Sequence, residues 1–173
     1  MADVAPPLSV FSLCTGLSGL DIGVCRAFGG RVVACAERDS YAAAVLMERM
    51  EAQELDACPV WVGDIADMDA RTLAGSVGVV CAGIPCQPWA RCGLQLGDSD
   101  ERHLGHELVR VVREVEPDYV CVENVSGFVS WDGLGGLVGA LSEIGFDCEW
   151  TTIPASHALI GAPHHRERVF LLG

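Results

Sequence analysis

Short β-branched runs alternate with stretches of helical periodicity along almost the whole chain, and this alternation restricts the fold more than any other property of the sequence. Residues 8–14, 31–36, 59–62, 77–82, 119–122, 148–153 and 169–172 read as strands. Between them, Ala43, Leu46, Met47 and Met50 recur at helical spacing behind a Ser40 N-cap, and Leu104, Leu108, Val111, Val112 and Val115 do so ahead of Glu116-Pro117. Further helices are expected up to Phe28, around residues 68–73 and over residues 134–144, with a loop over residues 126–133. The pattern predicts an α/β fold built on a doubly wound, mostly parallel sheet, whose last two strands form an antiparallel edge.

A chain of 173 residues fits one domain and can bury a core. The longest apolar stretch, around residues 77–84, is far shorter than the ~18 residues a membrane helix needs. The N-terminus has neither the basic start nor the long apolar segment of a secretory signal. The expectation is a soluble protein of the cytoplasm with no membrane partner. Nine cysteines, an odd number with no Cys-x-x-Cys pair and most of them in apolar segments, fit reduced thiols better than a disulfide framework or a zinc site. His103-x-x-His106 could pair on a helix face. With no carboxylate or thiol ligand at suitable spacing, two solvent-facing histidines is the preferred reading, and no metal is expected.

The formal net charge of −13 opposes strong, independent binding to a phosphate backbone, because that binding is carried by lysine and arginine. A local cluster can outweigh the sum, and the one dense basic patch is His164-His165-Arg166-Glu167-Arg168.

Reactive and polar groups gather where strands end. The apolar run over residues 77–82 breaks at Gly83-Ile84-Pro85-Cys86-Gln87-Pro88, which presents Cys86 at the mouth of a buried strand. Open α/β sheets place their ligands there, so Cys86 is the candidate nucleophile, whereas Cys81 within the strand packs. The first strand runs into Thr15-Gly16-Leu17-Ser18-Gly19, a turn that lets backbone amides and a helix N-terminus approach a polar ligand. Glu37 follows Gly16 by 21 residues, near the ~20-residue offset at which nucleotide-binding α/β units place an acid on ribose hydroxyls. Asp64 ends another strand, where a helix cap is the default and an adenine contact the alternative. Glu123-Asn124 ends the strand over residues 119–122. Residues 89–99 read as an irregular loop over this crevice.

Taken in order, these segments resemble the DNA cytosine-5 methyltransferases, which use S-adenosylmethionine (AdoMet). Val79-Val80-Cys81-Ala82-Gly83-Ile84-Pro85-Cys86-Gln87-Pro88-Trp89 resembles the family's nucleophile motif, and Asp118-Tyr119-Val120-Cys121-Val122-Glu123-Asn124-Val125 its Glu-Asn-Val motif. Gly161-Ala162-Pro163-His164-His165-Arg166-Glu167-Arg168-Val169-Phe170 resembles its Arg-x-Arg motif, with Gly63-Asp64-Ile65 and Asp100-Glu101-Arg102 matching weaker motifs between. The likeness covers nearly the whole chain. It departs from the family at Cys14 and Arg38, where aromatic residues are common, at Ser18, where glycine is, and at His164, where glutamine is.

The resemblance implies a Rossmann-like AdoMet methyltransferase fold over residues 1–173, with the family's target-recognition region absent after Gly173. It implies methyl transfer to carbon 5 of cytosine in DNA, as in restriction-modification systems. Cys86 would add to carbon 6, Glu123 would engage ring nitrogen 3 and the amino group, Asn124 would hold the loop, and Arg166 and Arg168 would orient the base. The target base would leave the helix stack to reach them. Cys14, Gly16, Leu17, Gly19, Glu37, Arg38, Asp64, Ile65 and Leu104 would form the cofactor site. The expected partners are DNA containing cytosine and a second chain that supplies recognition. Alternatives are a non-catalytic AdoMet-fold subunit or remnant, and the same chemistry on RNA.

Overall fold

The computed structural model describes residues 7–85, 104–130, 133–157 and 160–173. Seven strands form one sheet in the order β3-β2-β1-β4-β5-β7-β6. The strands β1 (Ser9–Leu13), β2 (Arg31–Glu37), β3 (Val60–Val62), β4 (Val79–Ala82) and β5 (Tyr119–Val125) run parallel to one another. The last two strands, β6 (Glu149–Pro154) and β7 (Glu167–Leu172), are antiparallel, with β7 inserted between β5 and β6. The doubly wound sheet with an antiparallel edge is therefore as the sequence predicts. Among the described residues no helix is long and apolar enough to cross a membrane.

Helices cover both faces. On one, α3 (Gly105–Val115) and α5 (Gly133–Ser142) bury Leu108, Val111, Val112, Val115, Leu137 and Leu141 against Val80, Val120, Val122, Val169 and Leu171. Each fully buried Val or Leu contributes about 1.5–3 kcal/mol of transfer free energy, so this face dominates the stability of the domain. On the other, α1 (Gly19–Phe28) sets Val24 against Val10, Val79 and Cys81. Gly29 ends α1 in the left-handed region at φ 68°, and its N–H donates to the Cys25 carbonyl. Glu116 closes α3 in the same conformation, ahead of Pro117.

Four local expectations differ from the structure. The N-cap of α2 (Ser40–Glu51) is Asp39 rather than Ser40, because Asp39 Oδ1 accepts from both the Tyr41 and Ala42 amides at 2.9 Å. The buried stripe of α2 is narrower than its spacing suggests: Ala43 and Leu46 are buried, but Met47 is 44% exposed, since the helix packs only near the sheet edge. Residues 68–73 form no α-helix; two 3-10 turns, Ile65–Asp67 and Arg71–Leu73, stand there instead. A short helix α4 (Gly127–Ser130) occupies part of the expected loop.

Candidate active site

The ends of β1, β2, β4 and β5 open into one cavity of about 880 Å³. It is lined on one side by Cys14, Glu37, Arg38, Asp39, Asp64, Ile65 and Leu104, and on the other by Glu123, Arg166 and Arg168, with Gly83-Ile84-Pro85 between. Parallel strand order explains the convergence, because every strand from β1 to β5 ends on the same side of the sheet. Ala82 pairs with Val122, so Gly83 comes level with Glu123. The chain therefore leaves β4 beside the Glu123 carboxylate. Cys86, residues 89–99 and His103 lie outside the described residues.

The β2 side is held by backbone donors. Glu37 accepts from the Gly16 amide at 2.7 Å on one oxygen and from the Asp39 amide at 2.8 Å on the other. Each oxygen keeps a second lone pair, so the carboxylate is oriented without being used up. Asp64 caps the following turn by accepting from the Ala66 amide at 3.1 Å, and its other oxygen lies 3.1 Å from Arg38 Nη1. Capping and cavity lining thus coexist at Asp64. Arg38 is 72% exposed, which makes this ion pair worth little to stability. Burial, reinforced by the charges of Glu37 and Asp64, pushes the Cys14 thiol up to about 12. It therefore enters the cavity neutral, as a small apolar wall.

The β5 side is an ion pair. Arg168 Nε lies 2.7 Å from Glu123 Oε1, with the two side chains 20% and 26% exposed. Asn124 is buried, with Oδ1 accepting from the Val125 amide at 2.8 Å. Its Nδ2 has no hydrogen-bond partner among the described residues. Gly16, Leu17, Gly19 and Asn124 do not line the cavity, and Leu17 is 59% exposed. His106 sits 3.2 Å from Glu107, and no metal-binding cluster occurs among the described residues.

Comparison with known proteins adds to this geometry. The family described as C-5 cytosine-specific DNA methylase matches residues 8–173. The chain belongs to this family. It is 31% identical over 172 residues to the type II methyltransferase M.PspPI of Psychrobacter sp., covering 95% of this chain and 39% of that protein. It is 29% identical over 169 residues to M.HhaI of Haemophilus parahaemolyticus, covering 95% and 48%. The chain thus spans less than half the length of these relatives. The solved structure of a Spodoptera frugiperda DNMT2 mutant superposes with a TM-score of 0.73 at 22% identity, covering 95% of this chain and 49% of that one, which shows a shared fold. The methyl donor of the C-5 cytosine methylases is S-adenosyl-L-methionine.

In this chain, the roles of several residues that shape the site escaped the sequence reading. Ser18 adopts φ 66°, and its hydroxyl donates to Asp21 Oδ2 at 2.7 Å while Ser12 Oγ donates to Asp21 Oδ1 at 2.7 Å. The buried aspartate locks the left-handed residue of the glycine turn. Arg110 Nη2 donates to the Ile65 carbonyl at 2.6 Å and Nη1 to the Met68 carbonyl at 3.0 Å, while Ala70 donates to Glu114 at 2.9 Å. Arg110 is placed by Glu107 and Glu114, one turn away on either side of it, and that spacing was the available signal. Asp39, which lines the cavity, had the pattern of a cap immediately before a helix.

Proposed function

We propose that this chain is the cofactor-binding and catalytic part of a cytosine-5 DNA methyltransferase, transferring a methyl group from AdoMet to carbon 5 of cytosine in DNA. The observation that carries the reading is the single cavity in which Glu37, Asp64 and Ile65 face Glu123, Arg166 and Arg168 across the segment that leads into Cys86. Its volume falls within the ~300–1,000 Å³ usual for ligand sites. The residues present fit AdoMet: Glu37 retains lone pairs for ribose hydroxyls, buried Ile65 and neutral Cys14 offer apolar contact to a purine, and Asp64 offers an acceptor to its amino group. A side chain at Gly16 or Gly19 would meet nothing within 4 Å, so space is open beside the turn. When bound, AdoMet supplies an electrophilic methyl group.

The chain's own residues perform the rest. Carbon 5 of cytosine is too weak a nucleophile to take a methyl group directly. Addition of the Cys86 thiolate to carbon 6 makes an enamine whose carbon 5 is reactive. Glu123 stabilises the charge that this addition drives onto ring nitrogen 3. Arg168 keeps the Glu123 carboxylate aimed, and Arg166, exposed at the rim, meets the base or its phosphates. The unpartnered Nδ2 of Asn124 is assigned to holding the segment that carries Cys86, since a buried donor left unpaired costs about 1–3 kcal/mol. Loss of the carbon-5 proton then expels Cys86 and restores the ring. With a net charge of −13, recognition of the duplex is assigned to a further segment or a second chain.

The deciding experiment mixes the chain with AdoMet and DNA oligonucleotides carrying 5-fluorocytosine, which blocks the final proton loss and traps the adduct. A covalent mass that disappears in Cys86→Ala establishes the nucleophile and the base. AdoMet binding without an adduct, even when the DNA is in excess, would leave a cofactor-binding subunit without chemistry of its own. An adduct formed on RNA and not on DNA would move the substrate.

A further inference from the structure

Away from the cavity, two thiols meet across the junction of β2 and β3. Cys35, 2% exposed in the middle of β2, has its Sγ 3.7 Å from the Sγ of half-buried Cys58, which lies in the irregular stretch before β3. The contact is fixed from both sides. The Cys35 amide donates to the Pro59 carbonyl at 3.0 Å, and three residues earlier the Val32 amide donates to Asp56 Oδ2 at 3.1 Å. The stretch around Cys58 is thereby tied to β2 by one main-chain bond, at Pro59, and one bond to a side chain, at Asp56.

We infer that Cys35 and Cys58 are an oxidant-sensitive pair that closes reversibly to a disulfide, with a hydroperoxide as the oxidant class. Neither residue belongs to the methyl-transfer site, and the inference does not depend on what the cavity binds.

Three observations distinguish this pair. It is the one thiol–thiol contact among the described cysteines. Cys58 is half-buried, so a small peroxide reaches it, while Cys35 is shielded and can act only on Cys58. The electrostatics agree: burial pushes the thiols of Cys25 and Cys121 up to about 11, whereas the sulfur contact with Cys35 pulls Cys58 below its ordinary value. Cys58 is therefore the more nucleophilic of the two.

The chemistry balances in two steps. The Cys58 thiolate attacks one peroxide oxygen, the O–O bond breaks, and the sulfur becomes a sulfenic acid as the other oxygen leaves as water after taking a proton. Cys35 sulfur then attacks Cys58 sulfur, the S–S bond forms, and the sulfenic hydroxyl leaves as water with the Cys35 proton. Two thiols and one hydrogen peroxide give one disulfide and two waters. Closing a contact of 3.7 Å to the ~2.05 Å of a disulfide requires one strand to give. The mobile side is the Cys58 side, because β3 is a three-residue edge strand while β2 is paired on both sides.

The test treats the intact chain with hydrogen peroxide, blocks free thiols with N-ethylmaleimide and digests with trypsin without reduction. Arginines at 31, 38, 49 and 71 separate Cys35 into residues 32–38 and Cys58 into residues 50–71. The expected product is those two peptides joined, two hydrogens lighter than their sum and released by a phosphine. In Cys35→Ser, Cys58 should stop at a sulfenic acid that dimedone captures; in Cys58→Ser, Cys35 should stay alkylatable. Recovery of both peptides as separate maleimide adducts after oxidation overturns the inference, as does cross-linking mainly to other cysteines. Mapping of the unmutated chain decides the matter even if a variant misfolds.

Discussion

Arg168 reaches diagonally across the antiparallel ladder to Glu123, bonding at 2.7 Å although its register partner is Val125 and that of Glu123 is Phe170. The side chains meet because alternate residues of β5 and β7 share the face that opens into the cavity, so an arginine two rungs away is within reach of the carboxylate. The antiparallel insertion of β7 therefore does more than end the sheet. It delivers a cation to a strand end that a parallel neighbour could not have supplied from the same segment.

If Glu123 acts on the base and Arg168 aims it, Arg168→Ala should lower methyl incorporation into DNA by roughly two orders of magnitude, the scale of a lost acid–base group. Glu123→Gln should fall at least as far. AdoMet affinity, measured by calorimetry, should change less than about threefold in either variant, a shift well under the 1.4 kcal/mol of a tenfold change. Loss of cofactor binding in step with activity would instead mean that the pair is part of the cofactor wall.

Ser18 sits at φ 66°, where a side chain costs about 1–2 kcal/mol relative to glycine. Its buried hydrogen bond to the Asp21 carboxylate returns about 1.5–3 kcal/mol. Ser18→Gly removes both and should destabilise by about 1 kcal/mol; Ser18→Ala keeps the strain, loses the bond and should cost about 2–3 kcal/mol. Urea denaturation of the two variants tests the order, and an alanine variant more stable than the glycine one would show that Asp21 does not hold the turn.

Asp21 is 2% exposed, and burial raises its carboxyl pKa despite the opposing hydrogen bonds from Ser12 and Ser18. The sign follows. Between the ordinary value of 3.8 and the raised folded value, the folded chain binds more protons than the unfolded one, so this group's contribution to stability falls as pH rises through that window. Asp21→Asn can still accept from one serine and donate to the other, without a buried charge. The Tm of the variant minus that of the unmutated chain should therefore grow as pH is raised from about 4 toward neutrality. A difference that stays constant with pH would sink the assignment.

What the sequence revealed and what it hid follow from how local each signal is. The strands were legible because buried parallel strands are continuous β-branched runs, and the convergence of Glu37 and Glu123 followed from strand order, whereas Gly16, Gly19 and Asn124, expected beside them, do not line the cavity. Residues 68–73 were misread for a tertiary reason. Helix α3 takes the groups a helix there would use internally: Arg110 binds the Ile65 and Met68 carbonyls, and Glu114 binds the Ala70 amide. Ser18 in the left-handed region, and the partnership of Arg38 with Asp64, depend on atoms far apart in sequence or on backbone geometry no periodicity reports. Asp39 over Ser40 as the cap of α2 was a choice between two adjacent good caps, decided by which carboxylate or hydroxyl faces the free amides.

That clamp yields the last prediction. Arg110 is about two-thirds buried and makes four hydrogen bonds, two to carbonyls of the 65–68 segment and two to Glu107 and Glu114. Nothing else described fixes the Ile65 carbonyl to α3, and Ile65 with Asp64 forms one wall of the cavity. Arg110→Met keeps the packing of the stem but removes the guanidinium from two carbonyls and two carboxylates, while the Ile65 carbonyl keeps the Met68 amide and Glu114 keeps the Ala70 amide. It should destabilise the chain by about 2–3 kcal/mol. Because the wall then loses its fixed position, AdoMet affinity should fall about tenfold, a further 1.4 kcal/mol. Arg110→Lys, a point charge that cannot span both carbonyls at once, should recover much of the stability and little of the affinity. Hydrogen exchange at the amides of Asp67, Met68 and Ala70 separates the alternatives. Faster exchange there, with α5 unchanged, locates the effect in the wall, whereas uniform acceleration would make Arg110 a general stabiliser with no particular bearing on the cavity.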